Sequence, residues 1–210
     1  MKILTAIAAT LIPLAAILTI TTASPHPGRT DASGCHTNRS TGNRHCHNQK
    51  KESDDGRVLV TVRRIADGDT VEVEQNGTGQ TVKVRMVCVD APELSQGSLG
   101  DAAAKHLAAL LPIGGAAQLR VIEEDRFGRT VAEIYRDGRS VNLQMVRDGQ
   151  AVVFRQYLDN CADTREQYLQ NEAAARAERR GYWNQSSPVM PWDWRNGKRC
   201  NGTGPECWVH

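Results

Sequence analysis

Aromatic side chains are scarce in this 210-residue chain: they make up 5%, with two Phe, four Tyr and four Trp. A core built on stacked rings is excluded, and Val, Leu, Ile and Ala must fill most of the interior. Charge of one sign is lacking too. The net charge of +2 is too small to argue for nucleic-acid binding from the total alone, although a basic stripe on one face is compatible with it. Internal repeats are absent, which excludes a solenoid. The length suits one ordinary domain with extensions. The 40% hydrophobic and 24% charged residues match a soluble globular protein.

The first residues differ in texture from the rest. Lys2 precedes an uncharged apolar run from Ile3 to Ile20, and small polar residues follow through Thr21, Thr22, Ala23 and Ser24. A positive start, a hydrophobic middle and a small-residue exit describe a secretory signal peptide over residues 1–23. An uncleaved membrane anchor is the alternative. Either way the rest of the chain is expected to be exported, to the periplasm or the medium. No stable membrane association is expected after cleavage.

Export bears on the six cysteines, because an oxidising compartment favours disulfides. Six cysteines allow about 15 full pairings, and the sequence does not choose among them. Loop economy suggests Cys35 with Cys46 and Cys200 with Cys207, leaving Cys88 with Cys161.

Residues 24–55 are polar, without hydrophobic periodicity, and read as a linker with a small Cys/His knot. From Arg57 the texture changes. Val58, Val60 and Val62 alternate with polar or outward positions, as do Val71 and Val73, then Val82, Val84 and Met86. Asn76-Gly77-Thr78-Gly79 supplies a hairpin turn, so three strands form a meander. The third strand is expected to run on through Val89 and Asp90. A helix is expected from Asp101 through Leu111, stopped by Pro112 and Gly114-Gly115. Leu119–Ile122 and Thr130–Tyr135 resume the strand pattern around a turn at 125–129.

Ser140 is expected to cap a helix over Val141–Asp148 that ends at Gly149. A last helix starts with a capping box of Asp163 and Glu166, with Leu169, Ala173 and Ala177 on one face and Gly181 at its stop. The fold class is therefore α+β: a five-stranded OB-type barrel with about three helices over residues 56–184, followed by a tail over 185–210.

Acids and arginines gather at the strand ends. Asp67-Gly68-Asp69-Thr70 lies between the first two strands, Arg85 precedes Val89-Asp90-Ala91-Pro92-Glu93, and Asp125-Arg126-Phe127-Gly128-Arg129 makes a later turn. Carboxylates hold a hard divalent cation, a further carboxylate activates water, and two guanidiniums neutralise a phosphoryl group. Each piece alone is weak, since Asp-Gly-Asp is more often a plain turn. The combination in this order is specific.

That pattern resembles the staphylococcal nuclease family from about Arg57 to Trp183. Asp137-Gly138, Val141-Asn142, Val146-Arg147, Gly149 and the Ala/Glu/Arg helix ending at Tyr182-Trp183 extend the likeness. The resemblance implies calcium bound by Asp69, Asp90 and the backbone carbonyl of Ala91, with Asp67 shaping the site through water. It implies Glu93 as general base and Arg85 and Arg129 as the phosphate clamp. The substrates would be DNA and RNA, single-stranded or fraying, cut by a monomer to products with 3′-phosphates. The family's best-known member has Thr where Ala91 stands, which a backbone ligand tolerates. Of that member's two nucleotide-packing tyrosines, Tyr157 matches one and Arg155 stands at the other, a cation that can also lie on a base. The surface loop after the base is shortened to residues 94–99.

Two features fall outside the resemblance. Cys35-His36 and His45-Cys46-His47 read either as a disulfide flanked by histidines or as a zinc site. In the tail, Trp192 and Trp194 either stack on bases or pack on the domain as an ordering staple. Two other functions compete with hydrolysis: a non-catalytic nucleic-acid-binding barrel, and an exported metal-binding protein acting through its Cys/His segment.

Overall fold

A computed structural model describes residues 35–37, 44–46, 56–202 and 207. The expected signal peptide lies outside the described residues. Strands β1 (Cys35–Thr37) and β2 (Arg44–Cys46) form an antiparallel pair that sets the backbone of Cys35 opposite Cys46 and His36 opposite His45. The side chains of those four residues, and with them the choice between disulfide and zinc, lie outside the described residues.

The main sheet follows the sequence pattern. Strands β3 (Val58–Ile65), β4 (Thr70–Gln75) and β5 (Thr81–Met86) make the antiparallel meander. Val58, Val60, Val62, Val71, Val73, Val84 and Met86 alternate into the interior because successive strand side chains point to opposite faces. The third strand does not run on as expected. It stops at Met86, the chain turns through Val87 and Cys88, and a short β6 (Val89–Asp90) follows. Cys88 takes φ +65°, a conformation rare for a residue with a Cβ. The turn is pinned by the Cys88–Cys161 disulfide and by Asn142, whose Nδ2 donates to the Val87 carbonyl at 2.9 Å.

Helix α1 runs Ser98–Leu110, one turn earlier than the sequence suggested, so Asp101 sits inside its first turn. Ala103 and Leu107 face the core. Strands β7 (Ala116–Glu124) and β8 (Thr130–Arg136) pair antiparallel, and β7 also pairs with β3. Parallel pairing of β5 with β8, Val84 opposite Thr130 through Met86 opposite Ala132, closes the five strands into a barrel. Its filling is aliphatic, as the shortage of aromatics requires. At about 1.5–3 kcal/mol for each fully buried large apolar side chain, this interior is the main source of stability.

A short β9 (Arg139–Ser140) leads into α2 (Val141–Arg147), capped by Ser140, whose Oγ accepts from the Leu143 amide at 3.2 Å. Gly149 ends that region at φ +68°, where a Cβ would stand 2.3 Å from the Arg180 carbonyl oxygen. Strand β10 (Val152–Val153) pairs antiparallel with β6.

Helix α3 (Arg165–Ala177) differs from expectation at its start and on its inner face. Its N-cap is Thr164, without a side-chain cap bond, and the Asp163/Glu166 box does not form. Tyr168, Glu172 and Ala175 point inward, while Ala173 and Ala177 are exposed. Glu172 is what turns the helix: its Oε1 accepts from the Val153 amide at 2.9 Å and its Oε2 from Arg155 at 2.7 Å. Glu133 of β8 is another deeply buried acid, bonded by Arg120, Tyr135, Ser140 and Tyr168.

The tail is part of the fold. A fourth helix, α4 (Pro191–Arg195), packs on the barrel, with Trp192 stacked on Phe154 at 5.4 Å and Trp194 Nε1 donating to Ser95 Oγ at 2.8 Å. A Cys200–Cys207 disulfide follows it.

Candidate functional site

The turn between β3 and β4 is shaped by its own carboxylates. Asp67 Oδ1 accepts the Asp69 amide at 3.0 Å, so the side chain bridges two residues as Asp does in tight turns. Gly68 permits close packing: a Cβ there would meet the Cβ atoms of Ala91 and Ala103 at 2.7 Å. This clearance lets the turn lie against the segment after β6. Asp69 then accepts the Ala91 amide on Oδ2 at 2.7 Å, tying two loops together.

Arg85 points from the end of β5 between the acids. Its Nη1 lies 2.8 Å from Asp69 Oδ2 and its Nη2 2.7 Å from Asp90 Oδ1. Asp90, on β6, is fully buried. Glu93 stands three residues on, at the head of a 3-10 turn over Leu94–Gln96, and its amide donates to Gln96 Oε1 at 2.8 Å. Arg129 enters from the β7–β8 hairpin. Asp125 organises that hairpin: Oδ1 accepts the amides of Phe127 and Arg129, and Oδ2 accepts Arg129 Nε at 2.7 Å.

These groups surround one cleft of about 900 Å³, lined among others by Asp67, Asp69, Arg85, Glu93, Arg129 and Tyr157. Arg155 is not on its wall and reaches the buried Glu172 instead. Trp192 and Trp194 are engaged in packing on the domain.

The arrangement contains a residue that the motif reading passed over. Arg195, the last residue of α4, reaches into the cleft. Its Nη2 donates to Asp90 Oδ2 at 2.7 Å, and its Nη1 donates to Asp90 Oδ1 at 2.8 Å and Glu93 Oε1 at 2.6 Å. No sequence signal pointed to it: the tail carries no motif, and its tryptophans read as the features of interest.

The electrostatics follow from crowding. Burial, with the neighbouring Asp69 charge, pushes the Asp67 carboxyl up to about 6. Burial likewise lifts the Asp90 carboxyl above its ordinary range, against the opposing pull of Arg195 and Arg85. For Asp125, partial burial is outweighed by the bonds from Arg129 and Phe127, which hold its carboxyl below the ordinary range. Arg195 is raised: burial opposes its charge, and the bonds to Asp90 and Glu93 prevail.

The carboxylates at the cleft, Asp67, Asp69 and Glu93 with Asp90 beside them, offer oxygen donors only, the chemistry of a hard divalent cation. Among the described residues, no three or more His, Cys, Asp or Glu side chains converge as a ready-made cage. Guanidinium groups stand between the carboxylates instead.

The family model described as staphylococcal nuclease homologue matches residues 83–185. The chain is 39% identical over 146 residues to an uncharacterized endonuclease of Escherichia coli, spanning 68% of this chain and 86% of that protein. It is 34% identical over 147 residues to a micrococcal nuclease of Shigella flexneri, spanning 66% and 80% of the two chains. An uncharacterized endonuclease of Haemophilus influenzae is 34% identical over 140 residues, 67% of this chain and 74% of its own.

Proposed function

Because the chain belongs to the staphylococcal nuclease family, we propose that it is a calcium-dependent endonuclease cutting DNA and RNA to products with 3′-phosphates. Its endonuclease relatives support the coarser activity, hydrolysis of nucleic-acid phosphodiester bonds. One observation carries the finer reading: Asp69, Glu93 and Arg129, from three separate loops, and Arg85, from strand β5, line a single cleft beside Asp90.

Asp69, Asp90 and the Ala91 carbonyl would hold the calcium ion, with Asp67 acting through water. The chemistry such an ion would supply there is polarisation of the phosphoryl oxygens and neutralisation of their charge. Glu93 takes a proton from the attacking water, whose oxygen bonds to phosphorus. Arg129, aimed by Asp125, presents two parallel donors to the equatorial oxygens and stabilises charge that grows in the transition state. Arg85, held between Asp69 and Asp90 on the wall of the same cleft, would add a second guanidinium to that phosphate. The bond from phosphorus to the 5′-oxygen breaks, that oxygen takes a proton from solvent and leaves as a hydroxyl, and Glu93 returns its own proton to solvent. Tyr157, exposed at the cleft edge, offers a face to a splayed base.

Export belongs to the same proposal. Oxidised Cys88–Cys161 and Cys200–Cys207 pairs support a secreted or periplasmic setting. The test is cleavage of single-stranded DNA by the exported form, first with calcium and then with a chelator, followed by analysis of product ends. Calcium-dependent cutting to 3′-phosphates is expected. Tight binding without cutting would replace this reading with the non-catalytic barrel.

A further inference from the structure

Arg195 comes from outside the barrel and satisfies the two carboxylates that the chemistry most needs. Both oxygens of Asp90 are taken: Oδ1 by Arg85 and Arg195, Oδ2 by Arg195 alone. Glu93 Oε1 is bound by the same guanidinium. A divalent cation drawing on Asp90 would need an oxygen that now lies 2.7 Å from Arg195 Nη2. Two positive charges at one oxygen repel strongly in a partly buried site. One of them must leave.

We propose that Arg195 is a resident counter-ion of the metal site, which the divalent cation must displace from Asp90 before the site is loaded. This rests on the reading that Asp90 is a metal ligand. The tail then sets the cation concentration at which the site fills.

The surrounding structure permits exchange without unfolding. Helix α4 is held by contacts that do not involve Arg195: Trp192 on Phe154, Trp194 on Ser95, and a buried Pro191. Upstream, the Tyr182 hydroxyl donates to the Val189 carbonyl at 2.6 Å. The Arg195 side chain is 37% exposed and has a long flexible stem, so rotation alone withdraws the guanidinium. Asp90 would then exchange one cation for another, and its buried charge would never stand uncompensated.

The exchange is tested on the full exported chain by calorimetric calcium titration of the wild type, Arg195→Ala and Arg195→Lys. Arg195→Ala is expected to bind calcium on the order of tenfold more tightly, since charge-assisted bonds to Asp90 no longer have to be broken. Arg195→Lys, which keeps the charge but loses the fork, should fall between the two. Melting with calcium and with a chelator supplies a second readout. Arg195→Ala should melt below wild type in chelator, and calcium should recover most of that gap. Equal or weaker calcium binding by Arg195→Ala overturns the proposal and leaves the metal site standing. So does an equal melting loss with and without calcium, which marks a structural contact only. Calcium binding by none of the three proteins overturns both the proposal and the metal reading beneath it.

Discussion

Arg195 and Asp90 are 105 residues apart in sequence and meet through a two-bond fork, Nη1 to Oδ1 at 2.8 Å and Nη2 to Oδ2 at 2.7 Å. The parallel donors of a guanidinium match the two oxygens of a carboxylate, and this geometry gives such pairs their strength. Here the pair links a tail helix to the barrel mouth, so the tail and the candidate site share one electrostatic unit.

Glu93 is assigned to the attacking water. Glu93→Gln keeps size and the capacity to accept from Arg195 while removing the base. Its rate on single-stranded DNA should drop by about 10³-fold or more with the melting temperature little changed. A near wild-type rate would mean the proton goes elsewhere.

Arg129 is aimed by its bonds to Asp125. Arg129→Lys retains the charge and loses the fork, so kcat should fall by about 10²-fold while KM changes much less. A loss confined to KM would move Arg129 from transition-state stabilisation to ground-state binding.

Asp67 carries a pH prediction. Its carboxyl titrates near 6 in the fold against an ordinary value of 3.8, because burial and the Asp69 charge both favour the proton. Between those values the native state holds more protons than the unfolded chain, so stability falls as pH rises through about 4 to 6. Asp67→Asn, which still accepts the Asp69 amide, should therefore stabilise the calcium-free protein at pH 7 by about 1 kcal/mol after solvent screening, and should do nothing at pH 4. Urea melts in chelator at both pH values check this. A stabilisation equal at both would rule out the charge as its cause.

Glu133 predicts the cost of breaking a buried network. Glu133→Ala strips Arg120, Tyr135, Ser140 and Tyr168 of a shared acceptor at a fully buried position. The expected loss is about 3–5 kcal/mol, read from the urea midpoint at constant slope. A loss below about 1 kcal/mol would show that the four donors find other partners.

The barrel was legible because its signal is local. Alternation in Val58–Val62 or Val82–Met86 reports which face each side chain takes, and tight turns leave little choice of partner. The acids and arginines were legible for a related reason, since each occupies a strand end or turn. Three errors share a different cause. On α3, counting apolar residues favoured Leu169, Ala173 and Ala177; Leu169 does pack against the core, but Ala173 and Ala177 are exposed because the helix is oriented by Glu172, a polar anchor that such counting sends to solvent. The break at Cys88 depends on a disulfide to Cys161 and on Asn142, both distant in sequence. Arg195 is reached only through the packing of α4, which no periodicity encodes.

The parallel seam of the barrel has a kinetic meaning. Arg85 lies on β5 and Arg129 immediately precedes β8, and these two strands form the seam where the sheet closes. Pairing Val84 with Thr130 joins distant stretches of chain, the kind of contact that forms late because its loop entropy must be overcome first. Closure of the barrel and approach of the two arginines are thus one event. A refolding or newly emerging chain has no half-assembled cutting centre, and regained activity should follow the slowest structural phase and never precede it.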